Sequence, residues 1–129
     1  MKKLLFTIAF LAISSITFAQ GISVKYQRQE PAEEITTGAA GVKSTFYIYQ
    51  YNSKIGEIYV YRYDNGGLEI ENGTNRYVKA SYTTFRKGQE YKLGPDWLGP
   101  ENGNGTVSVS QFFGGARFKG GSLTVHKIK

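Results

Sequence analysis

The chain has no cysteine, one histidine, one tryptophan and three prolines in 129 residues. Without cysteine there is no disulfide, no thiolate nucleophile and no thiolate-held zinc, so packing and hydrogen bonding alone must hold the fold. The lone histidine, His126, has no second imidazole to share a metal and no serine or acid motif of a triad, and it reads as a structural residue. Charge of one sign never runs together: sixteen basic and ten acidic residues are scattered along the chain. That scatter reads as ordinary solubility, and with no aromatic-basic RNA motif it argues against a nucleic-acid partner. Lys87, Lys92, Arg117, Lys119, Lys127 and Lys129 do weight the second half, the kind of bias that draws acidic polymers such as anionic glycans or a membrane surface.

Long apolar runs are also missing, except at the start. Lys2 and Lys3 precede ten largely apolar residues, Leu4 to Ile13, and a more polar stretch that ends in Thr17-Phe18-Ala19. A basic start, a short apolar run and small residues three and one before the break describe a signal peptide, bacterial in its brevity, cleaved after Ala19. Leu4 to Ala19 is only sixteen residues, against about 20 for a membrane span. The expected organisation is residues 1–19 as signal peptide and 20–129 as one domain, secreted or periplasmic, with no transmembrane anchor in the mature chain. Removing Lys2 and Lys3 lowers the net charge from +6 to +4.

What is abundant is glycine, sixteen, with ten tyrosines and eight phenylalanines, a composition of strands and tight turns. Ile22, Val24 and Tyr26 alternate as a first strand. Gln29 to Gly41 reads as a surface loop with at most one helical turn. Phe46 to Tyr51 and Ile58 to Tyr63 alternate with the two-residue period of strands. A reversal over Ser53-Lys54-Ile55 would set Tyr49 against Tyr59 and Tyr47 against Tyr61. Asn65-Gly66 signals a type I′ hairpin, which would pair Arg62 with Glu69 and Tyr61 with Ile70. Further strands follow through Tyr77–Phe85, Glu90–Leu93, Thr106–Phe113 and Ser122–Lys129. The fold class is all-β: a small antiparallel sandwich or barrel of about eight short strands.

Two features carry candidate chemistry. Tyr47, Tyr49, Tyr51, Tyr59, Tyr61 and Tyr63 would crowd one hairpin face, an aromatic platform for sugar rings; with Leu68 and Ile70 on the same side, it reads rather as packed core. The second feature is the thirteen-residue stretch Leu93 to Gly105, long for a loop without a role. It holds Trp97 beside Asp96, with Glu101, Asn102 and Asn104 behind, the stacking surface and directional polar groups a sugar site needs; equally, Trp97 reads as a plug folded back over the end of the core. The same oxygens are of the type calcium takes, but they do not follow the twelve-residue calcium-loop pattern, so no metal and no cofactor is expected. Glu33/Glu34 and Glu69/Glu71 lack the opposed placement of a glycosidase pair. Asn72-Gly73-Thr74 and Asn104-Gly105-Thr106 match the glycosylation acceptor and read here as turn chemistry. Phe113 to Gly120, followed by Ser122-Leu123-Thr124, is similar to the opening of a βγ-crystallin motif: aromatic, four residues, aromatic, one residue, glycine. The upstream segment Tyr82 to Gly88 has a different spacing, and no family follows from the likeness.

These readings combine into one expectation: an exported, non-enzymatic binding or adhesion module, contacting carbohydrate through the Trp97 loop. The alternative is a structural or protein-partner module, a surface-assembly component or inhibitor, using the tyrosine-rich sheet or a strand edge. The partner would be a glycan or another extracellular protein. Cleavage after Ala19 makes Gln20 the new terminus. Intact mass of the exported chain should match residues 20–129, less one ammonia where Gln20 has cyclised; retention of residues 1–19 would refute it.

Overall fold

The computed structural model describes residues 14–17, 21–100, 108–113 and 119–129. Their strands are β1 (Ser14–Thr17), β2 (Ile22–Glu33), β3 (Ala40–Gln50), β4 (Ser53–Tyr63), β5 (Gly67–Asn72), β6 (Val78–Arg86), β7 (Gln89–Leu98), β8 (Ser108–Phe112) and β9 (Lys119–Ile128). Eight of the nine follow Ala19, and no helix occurs among the described residues. They form two antiparallel sheets, a six-stranded one in the order β1-β2-β3-β4-β5-β8 and a three-stranded one in the order β7-β6-β9. Among the described residues no ladder joins the sheets into a closed barrel. Ser14–Thr17, inside the expected signal peptide, pairs with β2 over Ile22–Lys25.

Alternation along each strand builds one core between the sheets. Val24, Phe46, Ile48, Ile58, Val60, Leu68 and Ile70 of the large sheet meet Val78, Ala80, Tyr82, Leu93, Leu98, Leu123, Val125 and Ile128 of the small one. Phe46 and Tyr82 touch across the gap edge to face, centroids 6.4 Å apart, and each fully buried side chain of this size stabilises by about 1.5–3 kcal/mol. Arg62 also points inward, opposite Leu68, and is buried. Its guanidinium donates to Gln29 Oε1 and to the Gly120 carbonyl, so the charge is not left bare in the interior.

Three stretches differ from the sequence expectations, each for a local reason. The β3–β4 hairpin turns on Tyr51 and Asn52, with φ of 49° and 66°, not on Ser53-Lys54-Ile55. Tyr47 therefore faces Glu57, Thr45 faces Tyr59 and Lys43 faces Tyr61. The β4–β5 connection closes with Gly66 N–H donating to the Tyr63 carbonyl and Gly66 at φ 96°, the three-residue turn with a left-handed glycine rather than the two-residue type I′ turn. That extra residue slips the ladder by one, so Tyr61 pairs with Glu69 and Arg62 with Leu68. Leu68 and Ile70 thus lie in the core, and the tyrosines on the opposite face. Finally, β2 runs on to Glu33 through the expected surface loop, pairing β3 as far as Ala40. Pro31 is tolerated because β1 covers only Ile22–Lys25, and the missing N–H falls on the uncovered edge.

Asn72 ends β5 with no solvent exposure. Its Nδ2 lies 2.8 Å from the Arg76 carbonyl and 3.0 Å from those of Leu98 and Gly99. Its Oδ1 accepts from the Thr74 N–H and hydroxyl, at 2.9 and 2.7 Å. The Asn72-Gly73-Thr74 motif is turn chemistry, as its sequence suggested; Asn104 lies outside the described residues. Asn72→Asp, which turns a donor facing three carbonyls into an acceptor, should cost about 3 kcal/mol or more in urea unfolding, and more than Asn72→Ala. The exposed Asn75→Asp should change little, and equal effects at both sites would contradict the role given to Asn72.

Candidate functional site

Trp97 does not hang from a loop. After Leu93, a bulge at Gly94 steps β7 sideways, and the ladder with β6 resumes at Asp96 opposite Ala80, Trp97 opposite Lys79 and Leu98 opposite Val78. Gly94 sits at φ 85°, and a Cβ there would lie 2.6 Å from the Ala80 carbonyl, so only glycine makes this step. Leu98 and Val78 face the core, so Trp97 and Lys79, one residue along, face outward. Trp97 is 41% exposed, and the Lys129 ammonium lies 4.9 Å from its ring centroid. Asp96 beside it is exposed. Glu101, Asn102 and Asn104 lie outside the described residues. The indole is therefore a surface group on a sheet face, and not a plug closing the end of the core.

The rest of that outer face follows from the pairing. Lys79 stands between Trp97 on β7 and Lys127 on β9. Further along, Ser81 pairs with Thr124, and Thr83 stands between Lys92 and Ser122. A bulge in β9 between the partners of Lys79 and Ala80 brings His126 onto this side, where its Nε2 shares a 2.8 Å hydrogen bond with the Ser81 hydroxyl. Burial, then Lys92 and Lys79, hold the imidazole below its ordinary 6.5. Serine and histidine at this distance are a nucleophile and base in kind. The charged groups bearing on His126 are cations, however, where a triad's orienting group is a carboxylate, and the Ser81 side chain is buried.

The tyrosines lie on the outer face of the large sheet. Tyr47, Tyr49, Tyr59 and Tyr61 are half-buried, Tyr63 is buried at one end, and Tyr51 sits in the β3–β4 turn, 70% exposed. Several of their rings and hydroxyls are used internally. The Tyr59 hydroxyl donates to Glu57 at 3.2 Å and that of Tyr61 to Glu71 at 3.3 Å. The Lys54 ammonium sits 3.5 Å from the Tyr47 ring centroid and that of Lys43 4.3 Å from Tyr59. Tyr61 and Tyr63 stack at 6.1 Å. Burial, reinforced by Glu69, Glu34 and Glu71, pushes the Tyr63 phenol up to about 12. At this end a shallow cleft of about 340 Å³ opens between Glu34, Thr37, Tyr63, Glu69, Gln111 and Phe112. Both Glu34 carboxylate oxygens are engaged by the Thr36 and Thr37 N–H groups of its own turn.

Sequence reasoning singled out Trp97 and Asp96 but missed Lys79, Ser81, Thr83 and Lys92 as their neighbours. The alternation Val78-Lys79-Ala80-Ser81-Tyr82-Thr83 was the available signal for one face. Among the described residues no group of His, Asp and Glu is placed to hold a metal ion. No family model matches the chain, and no curated protein or solved structure is similar to it. The segment with the βγ-crystallin likeness lies largely outside the described residues.

Because the folded chain holds His126 below 6.5, both states are neutral there above that pH, and the unfolded chain takes the proton first as pH falls. Stability should thus drop below pH 6.5 through this site. In urea unfolding over a pH series, His126→Gln should show a smaller loss on that acid limb than the parent chain. Parallel curves would remove His126 as the source.

Proposed function

We propose that the chain is an exported, non-enzymatic binding module that holds a glycan on the outer face of the three-stranded sheet, around Trp97. The observation that carries this reading is the exposed indole fixed in a ladder, on a face that also offers the hydroxyls of Thr83, Ser122 and Thr124. An indole supplies a flat apolar surface for the C–H face of a sugar ring, and short polar side chains at fixed spacing supply directional hydrogen bonds. A rigid strand holds such groups more accurately than a loop does.

The tyrosine-rich face is the weaker platform, since Tyr47, Tyr59 and Tyr61 at its middle are already engaged by Glu57, Glu71, Lys43 and Lys54. A partner strand on the β2 edge is disfavoured too. The part of that edge beyond β1 carries Arg28, Glu30, Pro31 and Glu33, and charge and proline guard an edge against strand addition.

Trp97 is the sole tryptophan among ten tyrosines, so emission excited at the red edge of indole absorption, where tyrosine does not absorb, reports this site alone. Titration with glycan hexamers, neutral and anionic, should shift or quench its emission for at least one of them. Trp97→Ala should weaken that binding at least tenfold with little change in unfolding midpoint, because the ring lies outside the core. Emission unchanged across both sets would overturn the proposal.

A further inference from the structure

The lysines that look scattered in the sequence are gathered by the ladder. Lys79 on the central strand of the small sheet stands directly opposite Lys127, and Lys92 stands opposite Thr83, four residues along the same strand and about 13 Å away. Lys129 lies over Trp97 at the end of the face. Like charges directly opposite one another on neighbouring strands destabilise a sheet. Among the described residues no ion pair offsets the repulsion: those found, Arg28–Glu30 and Lys54–Glu57, both belong to the large sheet. Asp96 and Glu90 are carboxylates of the small sheet, and neither forms an ion pair with these lysines.

The large sheet is the internal comparison. On its outer face Lys54 lies on Tyr47 and reaches Glu57, and Lys43 lies on Tyr59, so these two ammonium groups are compensated within the molecule. On the small sheet Lys129 lies over Trp97, but Lys79, Lys92 and Lys127 enter no ion pair or ring contact found among the described residues. A like-charge pair retained at a cost in stability fits a surface that meets negative charge from outside. The distance between the Lys79/Lys127 row and Lys92 selects the form of that charge: a single small anion cannot span it, whereas an extended chain with charge on successive units can. His126 and Ser81 lie between the two rows, where burial first, and then Lys92 and Lys79, hold the imidazole down.

We infer that the ligand of this face is a polyanionic glycan, an extended polysaccharide with a carboxylate or sulfate on its repeating units, lying across Trp97, Lys79, Lys127 and Lys92. This inference rests on the glycan reading above and adds the class of ligand to it. Complementarity to a polyanion would concentrate ligand at the face and make affinity fall with salt.

The test is fluorescence titration of the mature chain with galacturonate hexamer, with cellohexaose as the neutral probe and a DNA duplex as a polyanion without sugar faces on offer. Galacturonate hexamer should bind, weaken as salt rises, and raise the His126 imidazole pKa read by NMR. Lys79→Gln combined with Lys127→Gln should weaken it at least tenfold and flatten the salt dependence, while Lys25→Gln on the large sheet changes little. Since the double variant removes a repulsion, it should unfold at the same or a higher urea concentration, which separates lost binding from lost folding. Cellohexaose binding as tightly, indifferent to the lysine variants, would overturn the inference and leave the glycan reading standing. Duplex DNA binding as well as galacturonate would also overturn it, in favour of unspecific attraction to polyanions. No response to either hexamer would overturn both.

Discussion

The amide of Asn72 is the constraint on which the arrangement of the two sheets depends. One side chain, at the last position of β5 in the large sheet, holds three carbonyls, those of Arg76 before β6 and of Leu98 and Gly99 where β7 ends. With no cysteine to staple the layers, a buried and fully used amide is a substitute of a different kind. It is directional, and it is costly to disturb because its partners are backbone groups with no water to replace it. It also fixes the end of β7 one residue from Trp97. The position of the indole on the surface therefore descends from a hydrogen-bonded turn inside.

At the far end of the core a second polar cluster does comparable work. The Gly120 carbonyl accepts from the Tyr82 hydroxyl at 3.2 Å and the Thr84 hydroxyl at 2.6 Å, and from Arg62 across the gap between the sheets. Burial holds the Tyr82 phenol up at about 12, so it is a neutral hydrogen-bond donor at any ordinary pH. Between these polar ends lies an uninterrupted apolar layer. The two sheets are thus tied at both ends by polar contacts and in the middle by packing, which leaves their outer faces free to differ in chemistry.

How far that difference was legible in the sequence turns on the two-residue period. Period alone puts Tyr47, Tyr59 and Tyr61 on one face and Ile48, Ile58 and Val60 on the other, and it does so correctly. It does not say which face is the core, because aromatic and β-branched residues both suit a half-buried sheet. The decision rested on whether Leu68 and Ile70 joined the tyrosines, and that depended on a single residue in the Asp64-Asn65-Gly66 turn. A two-residue turn would have placed them together; the three-residue turn with Gly66 left-handed places them apart. The bulges at Gly94 and His126 were illegible for the same reason. Each shifts one strand by one residue; the glycine at 94 permits its shift without announcing it, and at His126 no local composition marks one.

Those bulges also decide where function is to be sought. Read as a loop, Leu93 to Gly105 made Trp97 a flexible anchor whose polar company was Glu101, Asn102 and Asn104. Read as a strand to Leu98, it makes Trp97 one member of a fixed row with Lys79 and Lys127. The neighbours of the indole change from carboxylate and amide to ammonium and hydroxyl, and the chemistry of a fitting ligand changes sign with them. The large sheet shows why the tyrosines do not compete for that part. Tyr59 already carries Lys43 on its ring and gives its hydroxyl to Glu57, whereas the indole, with Lys129 over it, is still 41% exposed and stands beside Lys79 and Lys127, which enter no ion pair among the described residues.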